Sequence, residues 1–474
     1  MLLYINDDLK QGDKLMSIYL KNVFRDKKFY KKLVTLAIPM IIQNFIVSSL
    51  NMFDTLMVGS LGENEIAAVG MANQYFFFYN LIIIGIATGF SIFISQYWGS
   101  ENIINIKKVL GLEIISVLLI GFIFTAAALI VPEIILGIFT KDGAVIKLST
   151  DYLTVVVLSY LITGITILLS SSLKSIGNSR IPMIISAIAI FINGILNYIF
   201  IFGKLGFPAM GVRGSALATL VARIIEMSII IYFSFKKASP FRGKITEFLS
   251  LDTVFVKKVY NSVVPVVLND AFWALGLVLY TVAYGKVGTK AIASVQISNT
   301  IQNLFMIFCF GISSSSLVMI GHEIGRKNKE KAIEYAKKFT IISFIIGGLL
   351  GFILIIFSPT IVDLFNVSEE VRYSTRNILI IYGVICPIRS LAIVLIAGIF
   401  RGSGDAKFAL KAESFAMWVI ALPLTFLGAT LFKFSVEKVA MLVIIEDIVK
   451  CFLCIIHLRG DNWIHDLVNL KEVS

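Results

Sequence analysis

Charge is scarce in this chain. Asp, Glu, Lys and Arg make up 15% of its 474 residues, where a soluble globular domain carries about 25%. Histidine and cysteine are rarer still. His322, His457 and His465 stand apart in the sequence and compose neither a metal cluster nor a nucleophilic triad. The four cysteines, Cys309, Cys386, Cys451 and Cys454, all lie in apolar runs. Cys451 and Cys454 are spaced C-x-x-C, but no second pair or nearby histidine completes a zinc site, so they read as packing residues. No phosphate-binding loop occurs. Gly203-Lys204, Gly243-Lys244 and Gly285-Lys286 each lack the upstream glycine and the following hydroxyl residue. An ATP-driven pump and a membrane enzyme are therefore not expected, and no cofactor is implied. The opening segment, 1–32, is charged and lacks a long apolar core, so no signal peptide is expected there.

What the chain has instead is apolar length. Hydrophobic residues make up 57% of it, and mean hydropathy is +0.88. A helix needs about 20 apolar residues to cross the ~30 Å hydrocarbon core. Twelve such runs can be cut at charged or Gly/Pro-rich loops: 33–58, 66–97, 109–131, 148–173, 181–202, 213–235, 259–284, 291–321, 339–358, 376–400, 408–431 and 437–457. Barrel strands would be about 10 residues of alternating pattern. These runs are twice that length and uniformly apolar, so the expectation is an all-α integral membrane protein.

The net charge of +12 is explained by topology rather than by a nucleic-acid partner. With both termini placed inside, the inner segments with their adjoining span ends carry 29 Lys and Arg, and the outer loops with theirs 10. That asymmetry predicts an even number of crossings with both ends cytoplasmic.

The chain also repeats. A shift of 226 carries Pro39 onto Pro265, and 13 identities then fall in the 64 positions from 39 to 102. Among them are Gly59/Gly285, Gly62/Gly288, Asn73/Asn299, Gly85/Gly311, Gly99/Gly325 and Asn102/Asn328. Lys174-Ser-Ile-Gly177-Asn178 matches Arg401-Gly-Ser-Gly404-Asp405 at a shift of 227. The expected organisation is a cytoplasmic arm (1–32), a six-helix lobe (33–235), a cytoplasmic linker (236–258), a second six-helix lobe (259–458) and a cytoplasmic tail (459–474). Six spans per half make the repeats parallel, an arrangement found in secondary transporters with a central site.

Asp54-Thr-Leu-Met-Val-Gly-Ser-Leu-Gly62 with Ile66-Ala-Ala-Val-Gly70, Gln96-Tyr-Trp-Gly99, and Gly211-Val-Arg-Gly-Ser-Ala-Leu-Ala-Thr219 resemble signatures of the multidrug and toxic compound extrusion (MATE) transporters. The resemblance runs from about residue 30 to 458. It implies two six-helix lobes in a V and alternating access. It also implies export of cationic amphipathic compounds in exchange for protons or sodium ions, from a protein of the cell membrane. Asp54 matches the family's first-helix aspartate. Asn193 and Asn197 resemble paired polar positions of the fifth helix, and Thr219 a polar position of the sixth. Together they form a candidate cation- or proton-binding group.

Ionisable residues deep in a membrane are functional candidates by default. Asp270 and Arg389 both fall near the midplane and are expected to pair, either as a structural bridge or as a switch contested by substrate or proton. The repeat does not duplicate them: Asp54 maps to Tyr280, Asp270 to Asn44 and Arg389 to Ile162. Gln43, Asn44, Gln74, Tyr75, Trp273, Tyr280 and Asn299 are candidates for lining a substrate cavity, the aromatic ones because their faces attract organic cations. Pro39 and Pro265 could bend the first helix of each half. Arg223 with Glu226, and Glu446 with Lys450, read as local pairs. Expected partners are small organic cations and the bilayer, with no nucleic acid and a monomeric state. Two other readings are a lipid-linked precursor flippase of the same superfamily, disfavoured by the few deep basic residues, and a channel or sensor, disfavoured by the two-lobe repeat.

Overall fold

A computed structural model describes residues 25–237, 239–460 and 462–468, without the side chains of residues 50–56. Most of the expected N-terminal arm and the end of the chain, 469–474, lie outside these. The described residues are helical, with no strands among them. Lipid offers no partner to a free N–H or C=O, so each apolar run closes its hydrogen bonds within itself.

Twelve helical units follow the twelve apolar runs and overrun most of them. They are α1 (Lys27–Gly59), α2 (Glu63–Gly99), α3 (Ile103–Ile130), α4 (Gly143–Val156 with Leu158–Ser175), α5 (Arg180–Phe202) and α6 (Gly211–Phe235), then α7 (Thr253–Val287), α8 (Thr289–Gly325), α9 (Lys329–Val362), α10 (Glu369–Phe400), α11 (Ala406–Thr430) and α12 (Val436–Arg459). α4, expected as one span over 148–173, bends by 50° at Val157. Ten of the others are long and apolar enough to cross a membrane. α12 stands apart because Glu446, Asp447 and Lys450 interrupt its middle. The expected linker is partly helical: Ile245–Leu249 packs on α3, and Lys107 donates to Glu247 at 2.6 Å. α1 and α7 continue as helices through Pro39 and Pro265. Wider π-helical turns occupy Val394–Phe400 in α10 and Phe415–Ala421 in α11.

The duplication is written into the backbone. Asp26 caps α1, and its counterpart under the repeat, Asp252, caps α7. Asn102 caps α3 and Asn328 caps α9, each accepting from the amide three residues later at 3.1 Å. A side-chain oxygen at these positions satisfies amides that the first turn leaves unpaired. Glu101 and Lys327 share a left-handed φ of 59° and 61°, and Gly177 and Gly404 one of 93° and 85°.

The two halves meet through α1, α2, α7 and α8. A Cβ at Gly99 of α2 would lie 2.2 Å from the His322 carbonyl oxygen of α8, and one at Gly325 would lie 1.9 Å from that of Gln96. Positions 96 and 322 are counterparts under the repeat, as are 99 and 325. Likewise Gly85 packs on Val267, and Gly311 on its counterpart Ile41. Contact i to j thus recurs as j to i, the signature of a two-fold axis. The crossing falls at the ends of α2 and α8 next to the basic loops, here called the basic end.

A tail segment straps that end. Trp463 is buried in a core shared by the start of α1 with α8, α9 and α10. His465 N–H donates to the Ser403 carbonyl at 2.8 Å, and Leu467 N–H to Gln96 Oε1 at 3.0 Å. Gln96 Nε2 returns a bond to the His465 carbonyl at 3.2 Å. One short segment therefore holds α2 of the first half and the α10–α11 turn of the second.

Candidate functional site

Among the polar groups that interrupt the apolar interior, two clusters, one in each half, hold most of the expected site residues. In the first, Asn193 and Asn197 lie one turn apart on the same face of α5. Asn197 Nδ2 donates to Asn193 Oδ1 at 3.1 Å, and Asn193 Nδ2 to Thr219 Oγ1 of α6 at 3.4 Å. The structure thus brings three of the four expected residues together. Asp54 stands on α1, and its side chain lies outside the described residues.

A second chain of bonds runs beside them. Arg223 donates to Glu226 at 2.6 Å, Ser186 Oγ donates to the other Glu226 oxygen at 3.1 Å, and Gln43 Nε2 donates to Ser186 at 2.9 Å. Gln43 is therefore a bridge from α1 to α5 rather than a cavity wall. The Arg223–Glu226 pair forms as expected, and it is anchored to two further helices. A cavity of about 330 Å³ adjoins this cluster and reaches Asn193, Thr219, Arg223 and Glu226, walled by Phe76, Phe77, Tyr152 and Tyr160.

Gln74 and Tyr75, expected as candidates for lining a substrate cavity, do not line this one. α2 presents Asn73, Phe76, Phe77 and Asn80 to the cavity, the one stripe that helical spacing allows. Gln74 points away and is exposed. Tyr75 stacks on Tyr160 at 6.1 Å and donates to the Phe124 carbonyl at 2.8 Å. Asn44 is partly buried on α1.

The expected Asp270–Arg389 pair is not formed in the second half. Asp270 of α7 takes Arg401, at 2.5 Å. Arg389 of α10 takes Asp447 of α12 at 2.7 Å, donates to Gln302 of α8 at 2.6 Å, and lies over the Tyr382 ring at 5.2 Å. The reason is geometric. Arg401, counted with the basic loop, continues α10 and is 6% exposed, so it reaches Asp270 first. The π-helical stretch between Arg389 and Arg401 changes the face on which each emerges.

Glu446 and Lys450 do pair one turn apart on α12, but the pair is not merely local. Lys450 Nζ also donates to Glu413 of α11 at 2.7 Å, Asn269 Nδ2 donates to the other Glu413 oxygen at 2.7 Å, and Tyr280 Oη donates to Glu446 at 2.6 Å. Tyr280 is thus part of a hydrogen-bond network, and Trp273 packs against the same core. Asn299 accepts from Tyr382 at 3.2 Å. Glu413 and Asp447 were not singled out from the sequence. Their signal was there, since both are carboxylates inside apolar runs. The four cysteines are buried and unpaired.

A multi-pass helical body made of two like halves, each with a polar cluster inside the membrane, defines a membrane transporter fold. The MatE family profile matches residues 39–199 and 265–427, one copy per half. The chain belongs to the MatE family. It is 23% identical over 445 residues to a probable multidrug resistance protein NorM of Thermotoga maritima, covering 93% of this chain and 95% of that one. It is 27% identical over 428 residues to the uncharacterized transporter YisQ of Bacillus subtilis, covering 89% and 93%. Among solved structures, a MOP superfamily transporter from Pyrococcus furiosus superposes with a TM-score of 0.83 at 21% identity, covering 90% of this chain and 95% of that one. So does an outward-facing multidrug resistance MATE family transporter, with the same score, identity and coverage. These likenesses fix the fold.

Proposed function

We propose that the chain is a secondary active antiporter that exports cationic, amphipathic organic compounds in exchange for protons or sodium ions. The observation that carries this reading is the pseudo-symmetric crossing of α2 and α8. Two like halves that meet along α1, α2, α7 and α8, with their tightest glycine approaches at the basic end, can part there and close elsewhere, which is what alternating access needs. The basic end is assigned to the cytoplasm by its lysine and arginine excess. In this reading the α2–α8 contact closes the cytoplasmic side of a monomeric protein of the cell membrane with both termini inside.

The first-half cavity supports the substrate class. Its phenylalanine and tyrosine walls suit a flat organic cation. Asn193, Asn197 and Thr219, with Asp54 on α1, are assigned to the coupling ion of that half. Arg389 and Arg401 are each matched by a carboxylate, so neither offers a free basic surface to a pyrophosphate headgroup, and this supports an exporter over a flippase. The names of several relatives as probable multidrug resistance proteins point the same way.

The test is ethidium efflux from vesicles holding the wild type, Asp54→Asn or Asp270→Asn, with proton and sodium gradients imposed separately. Efflux that needs one gradient names the ion. Loss of efflux in Asp54→Asn places coupling in the first half. No dye movement under either gradient would overturn the exporter reading.

A further inference from the structure

We propose that the Glu413–Lys450–Glu446 triad holds one exchangeable proton within the second half, carried on Glu413 against Asn269. As an element of ion coupling this rests on the antiport reading, and it adds a proton site remote from the Asn193–Thr219 cluster.

Inside the second half the described ionic network has four carboxylates, Asp270, Glu413, Glu446 and Asp447, and three bases, Arg389, Arg401 and Lys450. Two pairs close one to one, Asp270 with Arg401 and Asp447 with Arg389. Lys450 alone serves two carboxylates, Glu413 and Glu446. One negative charge is left over in a membrane interior, where an unmatched charge is expensive and a carboxylate takes up a proton instead.

Geometry says where the proton sits. The Glu413 carboxylate receives Lys450 on one oxygen and Asn269 Nδ2 on the other. Asn269 is 2% exposed, and its Oδ1 has no hydrogen-bond partner. The two ends of an amide are interchangeable in shape. With the amide turned over, Oδ1 faces Glu413 and accepts an O–H from it, so the orphaned oxygen is satisfied when Glu413 is protonated. Glu446 instead receives the Tyr280 hydroxyl, which suits an ionised carboxylate.

The surroundings favour a proton over a metal cation. All four oxygens of the triad already receive an N–H or O–H donor, and the Lys450 ammonium fills the space between them. Sodium would need oxygens free of donors. The groups facing the triad are Asn269, Asp270 and Tyr280 from α7, Arg389 and Arg401 from α10, and Asp447 with the buried thiols of Cys451 and Cys454 on α12; α8 contributes neutral Gln302 through Arg389. The first half approaches at Asp270, where a Cβ at Gly85 would lie 3.4 Å from the carboxylate. Asn269 and Asp270 are adjacent in α7, so a proton gained or lost at Glu413 is one residue away from the surface where the halves meet.

The test is infrared difference spectroscopy of the full chain in liposomes, read at the protonated-carboxyl band while pH is stepped without substrate. The wild type is expected to show a titrating band that Asp54→Asn retains. Glu413→Gln and Glu446→Gln should each remove it, because either leaves Lys450 matched one to one. Lys450→Met should enlarge it. Asn269→Leu should shift its frequency, and Tyr280→Phe should not; the reverse would move the proton to Glu446 and overturn the assignment to Glu413. A band that survives both glutamine variants, no band in the wild type, or a band displaced by sodium at constant pH would overturn the proposal. Should Glu413→Gln fail to fold, the Glu446→Gln and sodium measurements still decide. Failure of dye efflux would sink the antiport reading and leave this band untouched.

Discussion

Alanine at Gly99 or Gly325 should drive the two halves apart at the basic end. A carbon against a carbonyl oxygen settles at about 3.3–3.6 Å. The added Cβ would sit at 2.2 Å in the first case and 1.9 Å in the second, so the crossing must widen by roughly 1 Å or more. Both obstacles are main-chain oxygens, which cannot rotate away. Overpacking of this kind costs about 1–3 kcal/mol, and the cost falls only on the conformation in which α2 and α8 touch. The balance between closed and opened basic ends should therefore shift by about 5- to 150-fold. The assay is maleimide labelling of Ser95→Cys, at the crossing, in a chain whose four native cysteines have been replaced. Labelling should accelerate in Gly99→Ala and in Gly325→Ala by similar factors, because the axis makes the two contacts equivalent. Gly194→Ala, with open space around it, should change nothing. Unchanged labelling in both crossing variants, or a response in only one, would refute the reasoning.

In a double-mutant cycle read by thermal unfolding, Asp270 should couple to Arg401 and be additive with Arg389, the reverse of what sequence depth alone suggests. Asp447→Asn should destabilise by about 3–5 kcal/mol, since it strands a buried guanidinium, and the double variant Asp447→Leu/Arg389→Met should recover much of that loss. The tail strap should be pH-dependent. The hydrogen bond to Asp405 holds the His465 imidazole above its ordinary 6.5 despite partial burial, so that contribution is complete below 6.5 and is lost as pH rises through the raised value. Burial would push the Asp405 carboxyl up, but the bonds from His465 and His457 outweigh it and hold it below 3.8, so its share is present above 3.8 and is lost as pH falls further. Amide protection factors at His465 and Leu467, taken relative to intrinsic exchange at each pH, should be highest between these limits and fall above neutrality, and His465→Gln should flatten the alkaline limb.

The repeat was the most legible feature of the sequence. The shift of 226 that aligned Asn102 with Asn328 also aligned their caps, their preceding left-handed residues and their helix crossings, because turns and close approaches demand particular residues. Hydropathy located every span but not the bend in α4, since Val157 has nothing in its chemistry to mark it. The α5–α6 cluster was readable because Asn193 and Asn197 are one turn apart. The second-half pairing was not. Depth along a helix gives a residue's height and leaves its azimuth open, and the π-helical turns of α10 and α11 alter azimuth without a sequence mark. Arg401 was assigned to a loop by its neighbours Gly402 and Gly404. Gln74 and Tyr75 were chosen for chemistry, while the face of α2 was set by Asn73 and Phe76.

The reciprocal contacts of α2 and α8 have a consequence for how such a molecule could arise. An interface whose closest helix approaches each have a mirror needs no second invention. A single six-helix chain presenting the surface around residues 85–99 could pair with an identical copy in the same membrane orientation, and joining the two genes would then only fix what two subunits already did. What a symmetric dimer cannot do is change one subunit alone. Fusion released that constraint, and the Glu413–Lys450–Glu446 triad on one side and the α5–α6 amides on the other are what two halves look like once they are free to diverge.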